Sequence, residues 1–258
     1  MATRALFDSV NRKIHPRDSL APVYEAQSGL DAYFHSALAQ VDLLDNLTRT
    51  YLRRPLAALD SVADFACHYG RLLRALRAAA PKVTLVACDI DREALAFCAA
   101  EFGTVTFHSA WSPTSTAQIP TADFLVCLSL VTHTRQSFLA DVLSLWKRIV
   151  RPGGLFAFTF LGESFMPAWK AGEMAHYGPA SADDIARVSR EFERDGHAFH
   201  GYQTSYSAND DYGIGFMSKT VVVAQIESHG GLEVLEYRGG PNNGFGQDLI
   251  VVRCLDAS

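Results

Sequence analysis

DSVADFACHYGRLLRALRAAAPKVTLVACDID, residues 60–91, is the stretch that decides the fold. Residues 62–65 are apolar or small between polar neighbours, as in a short buried strand. Gly70 stands where a helix should begin, Leu72, Leu73 and Leu76 recur at helical spacing, and Pro81 marks the break beyond. Residues 84–88 form a second short apolar run that closes on Asp89. The pattern is one βαβ unit. Its turn can present backbone N–H groups to a ligand, and a carboxylate follows the next strand.

A carboxylate in that place is set to accept hydrogen bonds from both hydroxyls of a ribose. Asp89 lies roughly 20 positions beyond Gly70, the separation expected of nucleotide sites in such units. The full glycine fingerprint is missing, because Ala66 and His68 stand where further glycines are looked for. A closely apposed pyrophosphate is therefore disfavoured, and with it a dinucleotide oxidoreductase. A nucleoside ligand without phosphates, such as S-adenosylmethionine (SAM), needs less backbone clearance.

The segment DFACHYGRLLRAL (64–76) resembles motif I of the class I, Rossmann-like SAM-dependent methyltransferases, D-x-G-x-G-x-G. Asp64 matches the motif's acid, Ala66 and His68 replace two glycines, and Gly70 is the third. VACDID (86–91) resembles motif II, ADFLVCLSLVTHT (122–134) motif IV, and LWKRIVRPGGLFAFTFLG (145–162) the helix, turn and fifth strand that follow. The resemblance runs over about 60–161 and resumes weakly over 218–254. It implies SAM as cofactor and S-adenosylhomocysteine as product. It assigns Asp64, Ala66, Cys67, Gly70, Asp89, Ile90, Ser109, Ala110, Leu128 and Ser129 to cofactor binding. The implied fold is α/β, a doubly wound seven-stranded sheet with helices on both faces. An N-terminal helical lid and a cap insertion after the fifth strand complete it.

Composition fits that picture. The 258 residues are 48% hydrophobic and 20% charged, which suits a globule with a substantial core. A net charge of −5 gives no support for a nucleic-acid or anionic-membrane partner. Cys67, Cys88, Cys98, Cys127 and Cys254 are scattered with no C-x-x-C spacing, so they read as buried thiols of a reducing compartment. No signal-peptide core or apolar run of about 18 residues is present, and a cytoplasmic location is expected. The oligomeric state is open, a homodimer included.

Residues 1–55 read as an N-terminal arm, with a helix opened by Asp31 that is either an edge-packing element or a lid over the cofactor. Tyr24 and Tyr33 lie in this arm. Strict alternation over 60–161, with later strands at 105–108, 122–128 and 155–161, predicts a parallel sheet whose ligand edge collects the motif residues. Residues 162–217 break the alternation. A capping box at Ser181 and Asp184 opens a charged helix, and HAFHGYQTSYSANDDYGIGF (197–216) follows. This insertion of roughly 55 residues is read as a cap that shapes the acceptor site. Residues 218–254 supply a last helix, capped by Ser218, and a strand pair over 232–238 and 248–254. The whole is read as one domain.

Methyl transfer from a sulfonium is an in-line displacement, so the protein's task is to align nucleophile and methyl. An alcohol or phenol acceptor gains from a general base, worth about 10²–10⁴-fold. His133, after the fourth strand, is the first candidate; ordering of its own loop is the alternative role. His200 is the second candidate base. His197, Tyr206, Asp211 and Tyr212 are candidates for acceptor binding. His197 and His200 face opposite sides of an extended segment, so no metal site is expected. The reading is a methyltransferase for a small molecule, a sugar or natural-product intermediate, at oxygen. N- or C-methylation and a non-catalytic scaffold remain as alternatives.

Overall fold

The computed structural model describes residues 4–109, 121–202 and 212–255. In chain order its helices are α1 (Arg4–Ser9), α2 (Leu20–Ser28), α3 (Leu30–Tyr51), α4 (Arg71–Ala79), α5 (Arg92–Phe102), α6 (Gln136–Ile149), α7 (Met166–Lys170), α8 (Ala182–Asp195) and α9 (Lys219–Ser228). The strands are β1 (Ser61–Phe65), β2 (Thr84–Asp89), β3 (Val105–His108), β4 (Ala122–Cys127), β5 (Val150–Phe160), β6 (His197–Gly201), β7 (Gly213–Met217), β8 (Leu232–Arg238) and β9 (Asp248–Cys254). Seven of them form one sheet in the order β3-β2-β1-β4-β5-β9-β8, while β6 and β7 pair separately. β1 runs parallel to both β2 and β4, β2 is parallel to β3, and β8 is antiparallel to β9. The order reverses between β1 and β4, the kind of switch point at which α/β sheets bind ligands.

The chain divides into two compact units, residues 1–127 with 148–155, and 128–147 with 156–258. In the first unit every residue of β1 is buried, which accounts for the apolar Val62, Ala63 and Phe65 and leaves Asp64 as a carboxyl inside the strand. Asp91 caps α5 by accepting from the N–H groups of Glu93 and Ala94, and Gly103, at φ 61°, closes it. Arg77 fastens the end of α4 through bonds to the carbonyls of Phe102, Pro81, Val83 and Gly103. The arm forms α1, α2 and α3. Asp31 lies inside the first turn of α3, two residues past the cap position held by Gly29, and pairs with Arg12.

β5 begins at Val150, five residues before its expected start. Pro152, Gly153 and Gly154 lie inside it, and Gly153 takes the bend at φ 75°. A side chain on Gly154 would meet the carbonyl oxygens of Arg151 and Asp123, each 2.8 Å from a Cβ built there. Arg151 also pairs with Asp123 at 3.0 Å.

In the second unit the insertion has a core of its own, built on Phe165, Met166, Trp169, Val188, Phe192 and Phe216. The capping box of α8 is present in both directions between Ser181 and Asp184. The antiparallel pair β6–β7 was not expected, since alternate residues of β6 are only half-buried. Asp248 is wholly buried and accepts from the Tyr237 hydroxyl (2.8 Å), the Ser164 hydroxyl (2.8 Å) and the Gly240 N–H (2.6 Å). Ser218 caps α9 at the N–H of Val221.

Candidate functional site

The turn after β1 is built from unusual backbone. Ala66, His68 and Gly70 all have positive φ, at 64°, 49° and 73°. These are the positions at which the motif I resemblance looks for glycines, so the left-handed path is kept with a side chain at two of them. Each such residue costs about 1–2 kcal/mol relative to glycine. Gly70 itself has no room for a side chain, since a Cβ there would lie 2.4 Å from the Phe102 ring and 3.0 Å from the Cys98 sulfur. The N–H groups of Ala66 and Cys67 both donate to the Cys88 carbonyl, at 2.8 and 3.1 Å, which ties the turn to β2.

Asp64, second from the end of β1, is 4% exposed, and its carboxylate accepts no hydrogen bond among the described residues. Burial pushes its pKa up to about 8; the Arg71 guanidinium opposes this and the Asp89 carboxylate adds to it. Arg71 is itself held by the Ser36 hydroxyl (3.1 Å) and the Gln40 carboxamide oxygen (2.9 Å) of α3. A buried carboxyl with no partner fits a ligand that brings a cation.

Asp89 ends β2. One of its carboxylate oxygens accepts from the His68 N–H at 2.7 Å and the other from the Asp91 N–H at 2.9 Å. Each oxygen keeps a second lone pair, enough for the two hydroxyls of a ribose. Ile90 beside it is 48% exposed, an apolar side chain available to a flat ring. Ser109 is buried and its N–H donates to the Asp89 carbonyl at 2.9 Å. Thus the first unit gathers Asp64, Ala66, Cys67, Gly70, Asp89, Ile90 and Ser109 about one turn. Ala110, Tyr206 and Asp211 lie outside the described residues. Tyr33 is buried, with its hydroxyl given to Asp18 at 2.7 Å.

The second unit holds the other candidates. Leu128 is half-buried. Ser129, at φ 65°, donates its N–H to the Thr159 hydroxyl (2.8 Å), and the Ser129 hydroxyl donates to the Gln247 carboxamide oxygen (3.1 Å). The Gln247 amide nitrogen in turn reaches the Tyr177 hydroxyl at 3.2 Å. His133 follows within a short 3₁₀ turn and is surrounded by three tyrosines. Tyr212 stacks on it at 5.2 Å, with Tyr202 and Tyr177 tilted at 5.9 and 6.0 Å.

The tautomer of His133 follows from its partners. Nδ1 lies 2.9 Å from the Gly213 carbonyl and 3.0 Å from the Tyr202 hydroxyl. A carbonyl can only accept, so Nδ1 carries the proton and Nε2 keeps a lone pair. No described residue bonds to Nε2. Burial holds the imidazolium below its usual pKa, with the Gly213 bond acting the other way. His133 is therefore a neutral imidazole near pH 7. The approach depends on β7, because a Cβ on Gly215 would come within 2.2 Å of the Thr134 carbonyl oxygen.

His200 is placed differently. Its Nε2 lies 3.2 Å from the Pro179 carbonyl and its Nδ1 3.6 Å from the Asp184 carboxylate. The two nitrogens join β6 to α8 and to the segment just before it. His197 is three residues away on the other side of β6. Neither is brought to His133, whereas Tyr212 is. Tyr177, Tyr202 and Gln247 were not anticipated; each comes from a separate part of the sequence, with no shared spacing to betray it. No group of three metal-ligating side chains occurs among the described residues.

A parallel arrangement that reverses beside β1, a buried carboxyl within β1 and an acid at the end of β2 together make a Rossmann-like candidate site. Residues 63–156 match the family described as a methyltransferase domain. That match runs from within β1, through β4, to the first part of β5, so this part of the chain is similar to a methyltransferase domain. Among solved structures it is similar to a SAM-dependent methyltransferase from Clostridium acetobutylicum, at 14% identity and a TM-score of 0.58, covering 93% of this chain and 100% of that one. DesVI from Streptomyces venezuelae is 16% identical with a TM-score of 0.58, over 93% of this chain and 99% of the other. Magnesium protoporphyrin IX methyltransferase from Synechocystis, with bound S-adenosylhomocysteine, is 12% identical with a TM-score of 0.53, over 87% and 86%. At these identities the likeness is one of fold. No curated protein matches the sequence.

Proposed function

We propose that this protein methylates a hydroxyl of a small molecule, with SAM as donor and His133 as general base. The observation that carries the reading is the state of His133: neutral, with Nδ1–H fixed on the Gly213 carbonyl and Nε2 without a partner among the described residues, in a ring of tyrosines. In the first unit, Asp64 would take the ammonium group of the donor, Asp89 its ribose hydroxyls, and Ile90 the face of its adenine. When bound, SAM supplies an electrophilic methyl on a sulfonium. The acceptor oxygen forms a bond to that methyl as the carbon–sulfur bond breaks, and the acceptor's proton passes to Nε2 of His133. The products are a methyl ether and S-adenosylhomocysteine, and the imidazolium returns its proton to water. Tyr177, Tyr202 and Tyr212 give an aromatic wall suited to a sugar face or a phenol ring. Five buried free thiols suit a reducing, cytoplasmic setting.

The test is a calorimetric titration with SAM, S-adenosylhomocysteine and, as control, NADH. Micromolar binding of the first two and none of NADH is expected. Asp89→Ala should weaken binding by about 1–3 kcal/mol. Equal affinity in a folded Asp89→Ala protein removes the ribose assignment. Absence of SAM binding removes the donor.

A further inference from the structure

Two ordinary residues in left-handed conformation, in a turn where glycine would be free of strain, need something to hold them. Such strain persists only where the surroundings over-determine the backbone. At Ala66 they are the Cys88 carbonyl of β2; at His68 they are the Asp89 carboxylate and one short segment of the arm, between α1 and α2. His15 stacks on Tyr69 with ring centroids 4.4 Å apart and planes within 6°. The same histidine lies 3.4 Å from Glu93, and Arg17 pairs with Glu93 and lies 3.8 Å from Asp91. Asp18, 2% exposed, sits 3.8 Å from Nδ1 of His68, while the Ser19 hydroxyl is 3.5 Å from Nε2 of the same ring.

The segment is anchored on both sides. Asp18 accepts from the Tyr33 hydroxyl at 2.7 Å and from the N–H groups of Leu20 and Ala21. Arg74, 1% exposed, spends its guanidinium on backbone carbonyls: Asn11 and Lys13 in the arm, Tyr69 and Gly70 in the turn. The arm and the turn are thus bonded to each other and to α3 and α4 at once. A cover lying loosely over a ligand has no need of such bonds.

We infer that the segment at residues 15–19 is a brace which holds the turn at 66–70 in its ligand-ready shape, making His15, Asp18 and Ser19 positioning residues for the cofactor. It does the work that a glycine at 68 would otherwise do by conformational freedom. The link to the cofactor rests on the SAM-binding reading above; the link to the turn does not. Loosening the brace lets residue 68 fall back to negative φ, so that a smaller fraction of molecules is competent. Apparent affinity falls by that fraction.

The experiment compares Asp18→Asn and His15→Ala, each alone and combined with His68→Gly, at a temperature well below the melting point of every variant. Asparagine keeps an oxygen for the N–H groups of Leu20 and Ala21, and His15→Ala covers the case in which Asp18→Asn does not fold. Amide hydrogen exchange at 67–70 without ligand reads the turn directly, and S-adenosylhomocysteine titration reads its consequence. Each single variant is expected to speed exchange at 68 and 70 about tenfold and weaken binding about tenfold. With His68→Gly added, affinity should return to within about threefold of wild type, because glycine takes the left-handed path unaided. A merely structural role lowers the melting point without that rescue. Unchanged exchange in both single variants overturns the brace, as does a double variant no tighter than the single one. Should the wild type fail to bind the nucleoside, the SAM reading falls alone, and exchange still decides the brace.

Discussion

Replacing Asp64 by Asn should alter how stability depends on pH, in a direction opposite to that of most carboxylates. In the unfolded chain the group ionises near pH 3.9. In the native protein burial keeps the proton on up to about pH 8. Below pH 4 both states are protonated and the group adds nothing to the pH dependence. Above it the unfolded state gives up the proton first, so native stability falls as pH rises and levels off only past 8. The slope is about 1.4 kcal/mol per pH unit, or about 3 kcal/mol between pH 5 and 7.5. Urea unfolding at several pH values, for wild type and Asp64→Asn, isolates this group in the difference of the two curves. The variant should gain steadily on the wild type over that window. Parallel curves would refute the argument, since they mean the carboxyl is no harder to ionise inside than outside. The same logic reaches function. A ligand ammonium beside Asp64 favours its ionised form, so SAM binding near pH 7 should expel close to one proton in wild type and none in Asp64→Asn. Calorimetry in buffers of different ionisation enthalpy measures that count.

Other perturbations test the packing behind each candidate. Gly70→Ala adds a left-handed penalty of about 1–2 kcal/mol to an overlap with Phe102 costing about 1–3, a loss of about 2–5 in all. Combining it with Phe102→Leu should recover part of that in urea unfolding, and no recovery would mean the overlap is not the cause. Gly215→Ala presses on the Thr134 carbonyl and should shift the turn that carries His133. A displacement near 1 Å lowers turnover by about 10²-fold with an identified acceptor, while donor affinity stays put. For His133 itself, the rate should fall as pH drops below the depressed pKa of the ring, which lies under 6.5. His133→Ala should abolish that acid limb; a variant with wild-type rate and profile ends its role as base.

What the sequence made visible was mostly local. A five-residue buried strand, a glycine, an apolar helical repeat and an acid roughly 20 residues on placed the turn after β1, because each feature acts over a few neighbours. The capping box at Ser181 and Asp184 was legible for the same reason. The start of β5 was not, since Pro152, Gly153 and Gly154 ordinarily end regular structure and here lie within a strand. β6 was hidden because its inward residues Ala198 and His200 alternate with half-exposed ones and give no apolar run. The tyrosines about His133 and the Ser129–Thr159–Gln247 network join distant parts of the chain, and contacts of that kind leave no period to read. Of the two histidines singled out as bases, which one keeps a nitrogen unpartnered among the described residues depended on Gly213, Pro179 and Asp184, none adjacent in sequence to the ring it holds.

Arg74 has a bearing on how this chain can be recombined. Its guanidinium recognises main-chain carbonyls, which any sequence supplies, while His68 and Tyr69 are matched to particular side chains upstream. An N-terminal arm grafted from a relative whose turn carries glycines would therefore dock on the arginine yet leave His68 unsupported. Arm and turn form a heritable pair. Exchange of either requires the other to travel with it, or a return to glycine at residue 68.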